Sequence, residues 1–201
     1  RAVAATGPRG SLARVPVQCR MALRATIYKA ELSVADMDRG YYADHSLTIA
    51  RHPSETEERM MIRILAFALR ADPALAFGRG LSTEDEPDLV RSDLTGAIDT
   101  WIDVGWPDER RVRRACSRAR EVLVVTYGGA KADAWWRQVR SSLDRCDGLE
   151  VVEVPADAAS GLAALARRAM RLHCSIQDGQ VLIGSDDGQL TVEPVPLRAR
   201  A

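Results

Sequence analysis

The run Ile98-Asp-Thr-Trp-Ile-Asp-Val104, followed by Pro107-Asp-Glu109 and then by Val122-Leu-Val-Val-Thr-Tyr127, decides the fold class. Ile98 to Val104 reads as a strand. Pro107 suits the first turn of a helix, and acids at Asp108 and Glu109 suit its positive end, so a helix runs from there to about Ala119. Val122 to Tyr127 is short and continuously apolar, as a strand buried on both faces must be. Gly128-Gly129 opens another helix, carried through Trp135 and Trp136 to Leu143. Val151 to Val154 is a second buried strand, and Ala156 to Met170 a further helix. Strands alternating with helices imply parallel pairing.

Outward from this middle the period changes. Met21 to Val34 nearly alternates apolar and polar residues, and Tyr41 to Arg51 follows as an antiparallel partner across a turn at Asp36 to Gly40. Ser54 is placed to cap a helix with Glu57 at the capping-box offset, and Met61, Ile62, Leu65, Ala66 and Leu69 form its apolar stripe. At the other end, Gln177-Asp-Gly179 and Asp186-Asp-Gly188 mark two hairpin turns. The expected architecture is α/β: a mixed sheet flanked by helices, with antiparallel hairpins at both ends.

Composition excludes more than it names. The 201 residues contain 28 basic and 28 acidic side chains, so net charge advertises neither nucleic acid nor an acidic partner. No apolar run is long enough to span a bilayer, so no membrane partner is expected. Residues 1–20 carry four arginines and no acid, and read as an N-terminal extension that is disordered or non-native. The single domain is expected over 21–198. Without residues 1–20 the balance is 24 basic to 28 acidic, or −4. Cys19, Cys116, Cys146 and Cys174 show no zinc-ligand spacing and read as reduced, apolar fillers in a cytoplasmic protein. Lysine occurs only at 29 and 131.

Carboxylates stand where apolar residues are expected. Asp103 shares a strand face with Trp101, and Glu58, with Glu55, lies on the sheet-facing stripe of its helix. Between them comes Pro87-Asp88. Such acids suit Mg²⁺, which takes few protein oxygens and keeps waters for a phosphate. They equally suit simpler roles. Glu55 and Glu58 complement a helix N-terminus or pair with Arg51 and Arg59, Asp88 serves a loop, and Asp103 a solvated strand end. Arg110, Arg113 and Arg114 offer a cationic helix face for nucleic acid, and Lys131 follows a glycine pair that opens a helix.

Met21-Ala-Leu-Arg-Ala-Thr-Ile-Tyr-Lys-Ala30, His52-Pro-Ser-Glu-Thr-Glu-Glu-Arg-Met60, Asp85-Glu-Pro-Asp-Leu89 and Trp101-Ile-Asp-Val-Gly105 resemble the YaeQ family of bacterial proteins. The resemblance extends from Met21 to about Val192. It implies a variant of the PD-(D/E)xK, restriction-endonuclease-like fold, and a pocket for Mg²⁺ or Mn²⁺ formed by Glu58, Asp88 and Asp103 with Glu86. It also implies action on nucleic acid as a metal-dependent phosphodiesterase. The motif lysine of that fold is absent, because Gly105 holds its place. Lys29, in a matched motif, is the favoured substitute, with Lys131, Arg59 and Gln177 behind it. The alternative is a non-catalytic relative that binds nucleic acid or a protein partner.

Overall fold

The computed structural model describes residues 25–78 and 86–200. The expected extension at 1–20 lies outside them. Strands β1 (Thr26–Asp36) and β2 (Tyr41–Arg51) form the N-terminal hairpin, with Thr26 opposite Arg51 and Asp36 opposite Tyr41. Helix α1 (Glu57–Leu69) leads to β3 (Ala76–Phe77), β4 (Leu89–Ser92) and β5 (Ile98–Val104). Next come α2 (Glu109–Arg118), β6 (Ala119–Tyr127), α3 (Ala130–Val139) with a 3-10 turn at Arg140–Leu143, and β7 (Leu149–Val154). The chain closes with α4 (Ala156–Ala164), β8 (Ala169–Gln177), β9 (Gln180–Ser185), β10 (Gly188–Val192) and β11 (Val195–Arg198).

The strands divide into two mixed sheets rather than one. The alternating middle supplies β5, β6 and β7 in parallel, within the order β11-β7-β6-β5-β4-β3. The two terminal hairpins meet in the second sheet, β10-β9-β8-β1-β2, where β1 pairs parallel with β8. Ala30, Leu32 and Val34 of β1 face inward while Lys29, Glu31 and Ser33 face out. Packing follows as layers. One core lies between the sheets and takes in α1 and α4; the other lies between β5–β7 and the helices α2 and α3.

Local chemistry moves several element ends. Thr56, not Ser54, caps α1, its hydroxyl accepting from the Arg59 amide at 3.1 Å, while Ser54 bonds the His52 ring. Helix α1 is buried all round from Met60 to Ala68, because sheets lie on both sides of it, so an apolar stripe understates its environment. Helix α4 stops at Ala164 instead of reaching Met170, which belongs to β8, where alternate side chains from Met170 to Ile176 are buried. No helix among the described residues is long and apolar enough to cross a membrane.

Candidate functional site

The C-terminal end of β5 gathers charge from both sides of its sheet. Leu89 on β4 pairs with Ile102, so Asp88, just before β4, stands beside the end of β5, and its carboxylate accepts the Val104 amide at 2.8 Å. From the side between the sheets, α1 brings Arg59 and Arg63. The Arg59 Nη2 donates to both Asp88 oxygens at 2.8 Å and to the Val104 carbonyl at 3.2 Å, and its Nη1 donates to Glu55 at 2.7 Å. Arg63, with 1 % of its side chain exposed, donates to Glu55 and approaches Asp88 at 3.5 Å. From the other side, α2 brings Arg111, which grips Asp103 through Nε at 2.9 Å and Nη2 at 2.7 Å and also donates to the Glu86 carbonyl. The cap formed by Asp108 on the Arg111 amide fixes the start of that helix.

This geometry satisfies charges that burial would otherwise penalise. Burial pushes the Asp103 carboxyl above the ordinary aspartate range; the hydrogen bonds and charge of Arg111 oppose the shift, and the nearby Asp88 charge adds to it. Burial also works against the Arg59 charge, but Asp88 and Glu55 outweigh it and hold the guanidinium above its usual range. Tyr127, at the end of β6, is raised by burial and feels Arg59, Glu58, Glu55 and Asp88, which places it at the edge of the same cluster.

Of the residues expected at the site, Asp88 and Asp103 come together at the end of β5. Glu58 lies half-buried on the first turn of α1, near enough to act on Tyr127. Glu86 supplies its carbonyl to Arg111, and its Oε2 is buried with no hydrogen-bond partner. Lys29 is not brought here. It is exposed on β1 and lines a separate cavity with Leu165, Arg167, Met170 and Asp187. Gln177, exposed at the end of β8, also lies on the terminal-hairpin sheet. Lys131 stands nearer, its ammonium 3.4 Å from the Trp106 ring centroid, one residue beyond Gly105. Gly105 has φ +109°, a conformation that L side chains rarely adopt, so a lysine at that place would strain the strand end. On α2, Arg110 is exposed, Arg113 donates to the Ser142 carbonyl and pairs with Glu109, and Arg114 is half-buried. Among the described residues no three Asp, Glu, His or Cys side chains are grouped to hold a metal ion.

Sequence reasoning missed Arg63 and undervalued Arg111. Arg63 sits inside an apolar helical run, and an arginine there signals buried acids nearby. Arg111 reads from sequence as one of several solvated arginines.

Two sheets packed around a central helix, with a carboxylate–arginine cluster at a parallel strand's end, define a mixed α/β protein. Residues 21–194 match the family described as "YaeQ protein", and the chain belongs to that family. It is 47 % identical over 173 residues to "Uncharacterized protein YaeQ" of Escherichia coli (strain K12), covering 86 % of this chain and 95 % of that one. The namesake from Salmonella typhi is 45 % identical over 174 residues, covering 86 % and 96 %. The crystal structure of YaeQ protein from Xanthomonas axonopodis pv. citri superimposes with a TM-score of 0.84 at 53 % identity, covering 87 % of this chain and 99 % of that one. That from Pseudomonas syringae gives 0.83 at 38 %, covering 88 % and 97 %.

Proposed function

We propose that the cluster at the end of β5 is a cation- and phosphate-binding site of a nuclease-like domain of the PD-(D/E)xK type, acting on nucleic acid as a metal-dependent phosphodiesterase. One observation carries the reading: both Asp88 oxygens and the Val104 carbonyl converge on a single nitrogen of Arg59. Three oxygens already surround one cationic point, which is the donor chemistry Mg²⁺ or Mn²⁺ requires. The buried, unpartnered oxygen of Glu86 adds an acceptor without a donor.

Asp88 and the Val104 carbonyl would hold the ion and water would complete its shell, Asp103, Glu58 and Glu86 acting through that water rather than as direct ligands, since no three such side chains are grouped among the described residues. When bound, the ion supplies Lewis-acid polarisation of a phosphodiester and an acidified water. The arginines have the complementary task. Arg59, about one-third exposed, can leave Asp88 for a phosphate oxygen, because its side chain reaches solvent where that of Arg63 does not.

The test is Mg²⁺ or Mn²⁺ titration with DNA and RNA substrates, comparing Asp88→Asn and Asp103→Asn. Cleavage that needs the metal and disappears in Asp88→Asn supports the reading; cleavage unchanged in both variants marks a contaminating enzyme and sinks it. A second reading, a non-catalytic binder of nucleic acid or protein, is favoured by a different observation: Asp103 is already gripped at both oxygens by Arg111. Binding of nucleic acid without turnover at any metal concentration is its expected result.

A further inference from the structure

Beside the cluster, Trp106 is held in one orientation. Its Nε1 donates to the Tyr127 carbonyl at 3.1 Å, its ring packs on Tyr127 at 4.7 Å between centroids, and it joins both cores. Gly128, at φ +96°, turns the chain beside it, and a side-chain carbon there would meet the indole edge at 3.4 Å, an ordinary contact. The indole is half-buried, and its ring carries the ammonium of exposed Lys131 at 3.4 Å. Among the described residues that ammonium has no carboxylate partner, so the cation–π contact is what detains it.

This pairing is readily exchanged. A ligand that displaces Lys131 must offer the ring another flat surface, and should give the released ammonium a new anion. A nucleotide does both, since every base has a π-face and carries phosphate beside it. A paired duplex keeps its bases stacked on one another, so an unpaired base is required.

We propose that Trp106 and Lys131 form a subsite for one unpaired nucleotide of a single strand, the base stacking on the indole while Lys131 moves to the adjoining phosphate. The subsite presupposes the nucleic-acid reading of the neighbouring cluster and names the substrate as single-stranded or locally unpaired. Its position fits: Trp106 follows Gly105 directly, and Tyr127, on which it packs, feels the charges of Arg59 and Asp88.

The experiment is fluorescence anisotropy of a labelled short DNA strand, its duplex, and an abasic strand of equal length, in EDTA and again with Ca²⁺. The full chain is expected to bind the base-bearing strand more tightly than the other two. Trp106→Leu should weaken that binding roughly ten-fold and leave the abasic strand unaffected, while Trp106→Phe, which keeps a ring, restores most of it. Lys131→Ala should weaken both strands and lower the salt slope by about 0.7. Thermal melting of each variant separates loss of folding from loss of stacking. The proposal is overturned if Trp106→Leu, folded, binds the strand as well as the parent does. Equal affinity for abasic and base-bearing strands, or no binding of either, overturns it too. Stacking-dependent binding without metal-dependent cleavage defeats the phosphodiesterase reading alone; cleavage with no Trp106 effect defeats the subsite alone.

Discussion

Arg63 is the residue on which the charge network turns. It lies 1 % exposed between Glu55 and Asp88, reaches the Ala50 carbonyl, and covers the Phe77 ring at 5.3 Å. Removing one partner from a buried ionic network leaves the others uncompensated, at a cost of about 3–5 kcal/mol. Arg63→Met should therefore lower the unfolding free energy by that order in urea titration. Arg59→Met should cost less, because a third of that side chain meets water and its pairs are already screened. Equal losses in the two variants would show that burial does not set the strength of these pairs. The acid at 103 was legible as a candidate because it interrupts an apolar strand, and the acid at 88, in a loop dipeptide, only through its order among the motifs and the family resemblance. Their arginine partners were not, since pairing 59 with 88 or 111 with 103 depends on how α1 and α2 pack on opposite sides of one sheet.

At the scale of elements, helix α1 distinguishes a local signal from the one the fold uses. Ser54 and Thr56 are both good caps in isolation, and the offset from Ser54 to Glu57 favours the earlier start. The chain instead turns at Pro53 and Ser54, with the Glu55 amide bonded to the His52 carbonyl, so that Glu55 points inward at Arg59 and Arg63. Thr56→Ala should accordingly cost about 1 kcal/mol in denaturation, and Ser54→Ala should change stability by no more than about 0.5 kcal/mol. The reverse order would place the cap at Ser54. Strand β5 was readable to the residue and β6 over its continuously buried run from Val122 to Tyr127, but the first three residues of β6, from Ala119 to Glu121, are not fully buried and read as the end of the preceding helix. Strands β3, β4 and β11 were not readable, being short and at or near a sheet edge, where burial imposes no clear period.

For the described fold as a whole, the parallel pairing of β1 with β8 joins the β1–β2 hairpin to the β8–β9–β10 hairpins. Leu32 and Leu172 are register partners in it, with 1 % and 3 % exposure. Each Leu→Ala change should cost about 2–5 kcal/mol. Since both side chains fill the same core between the sheets, the double variant should depart from additivity by at least 0.5 kcal/mol in a double-mutant cycle. Strict additivity would mean that the terminal hairpins are stabilised independently of each other.

The amino-acid sequence by itself determined the alternating strand–helix middle, the hairpins at both ends and the acids worth watching, because period, turn residues and misplaced charges act over a few residues. Only the tertiary structure decided that the hairpins meet in a second sheet and that Lys29 stands apart while Lys131 rests on Trp106. It also decided that each key carboxylate meets an arginine from a different helix. Those outcomes depend on which distant surfaces bury one another, and that is a property of packing which no local pattern encodes.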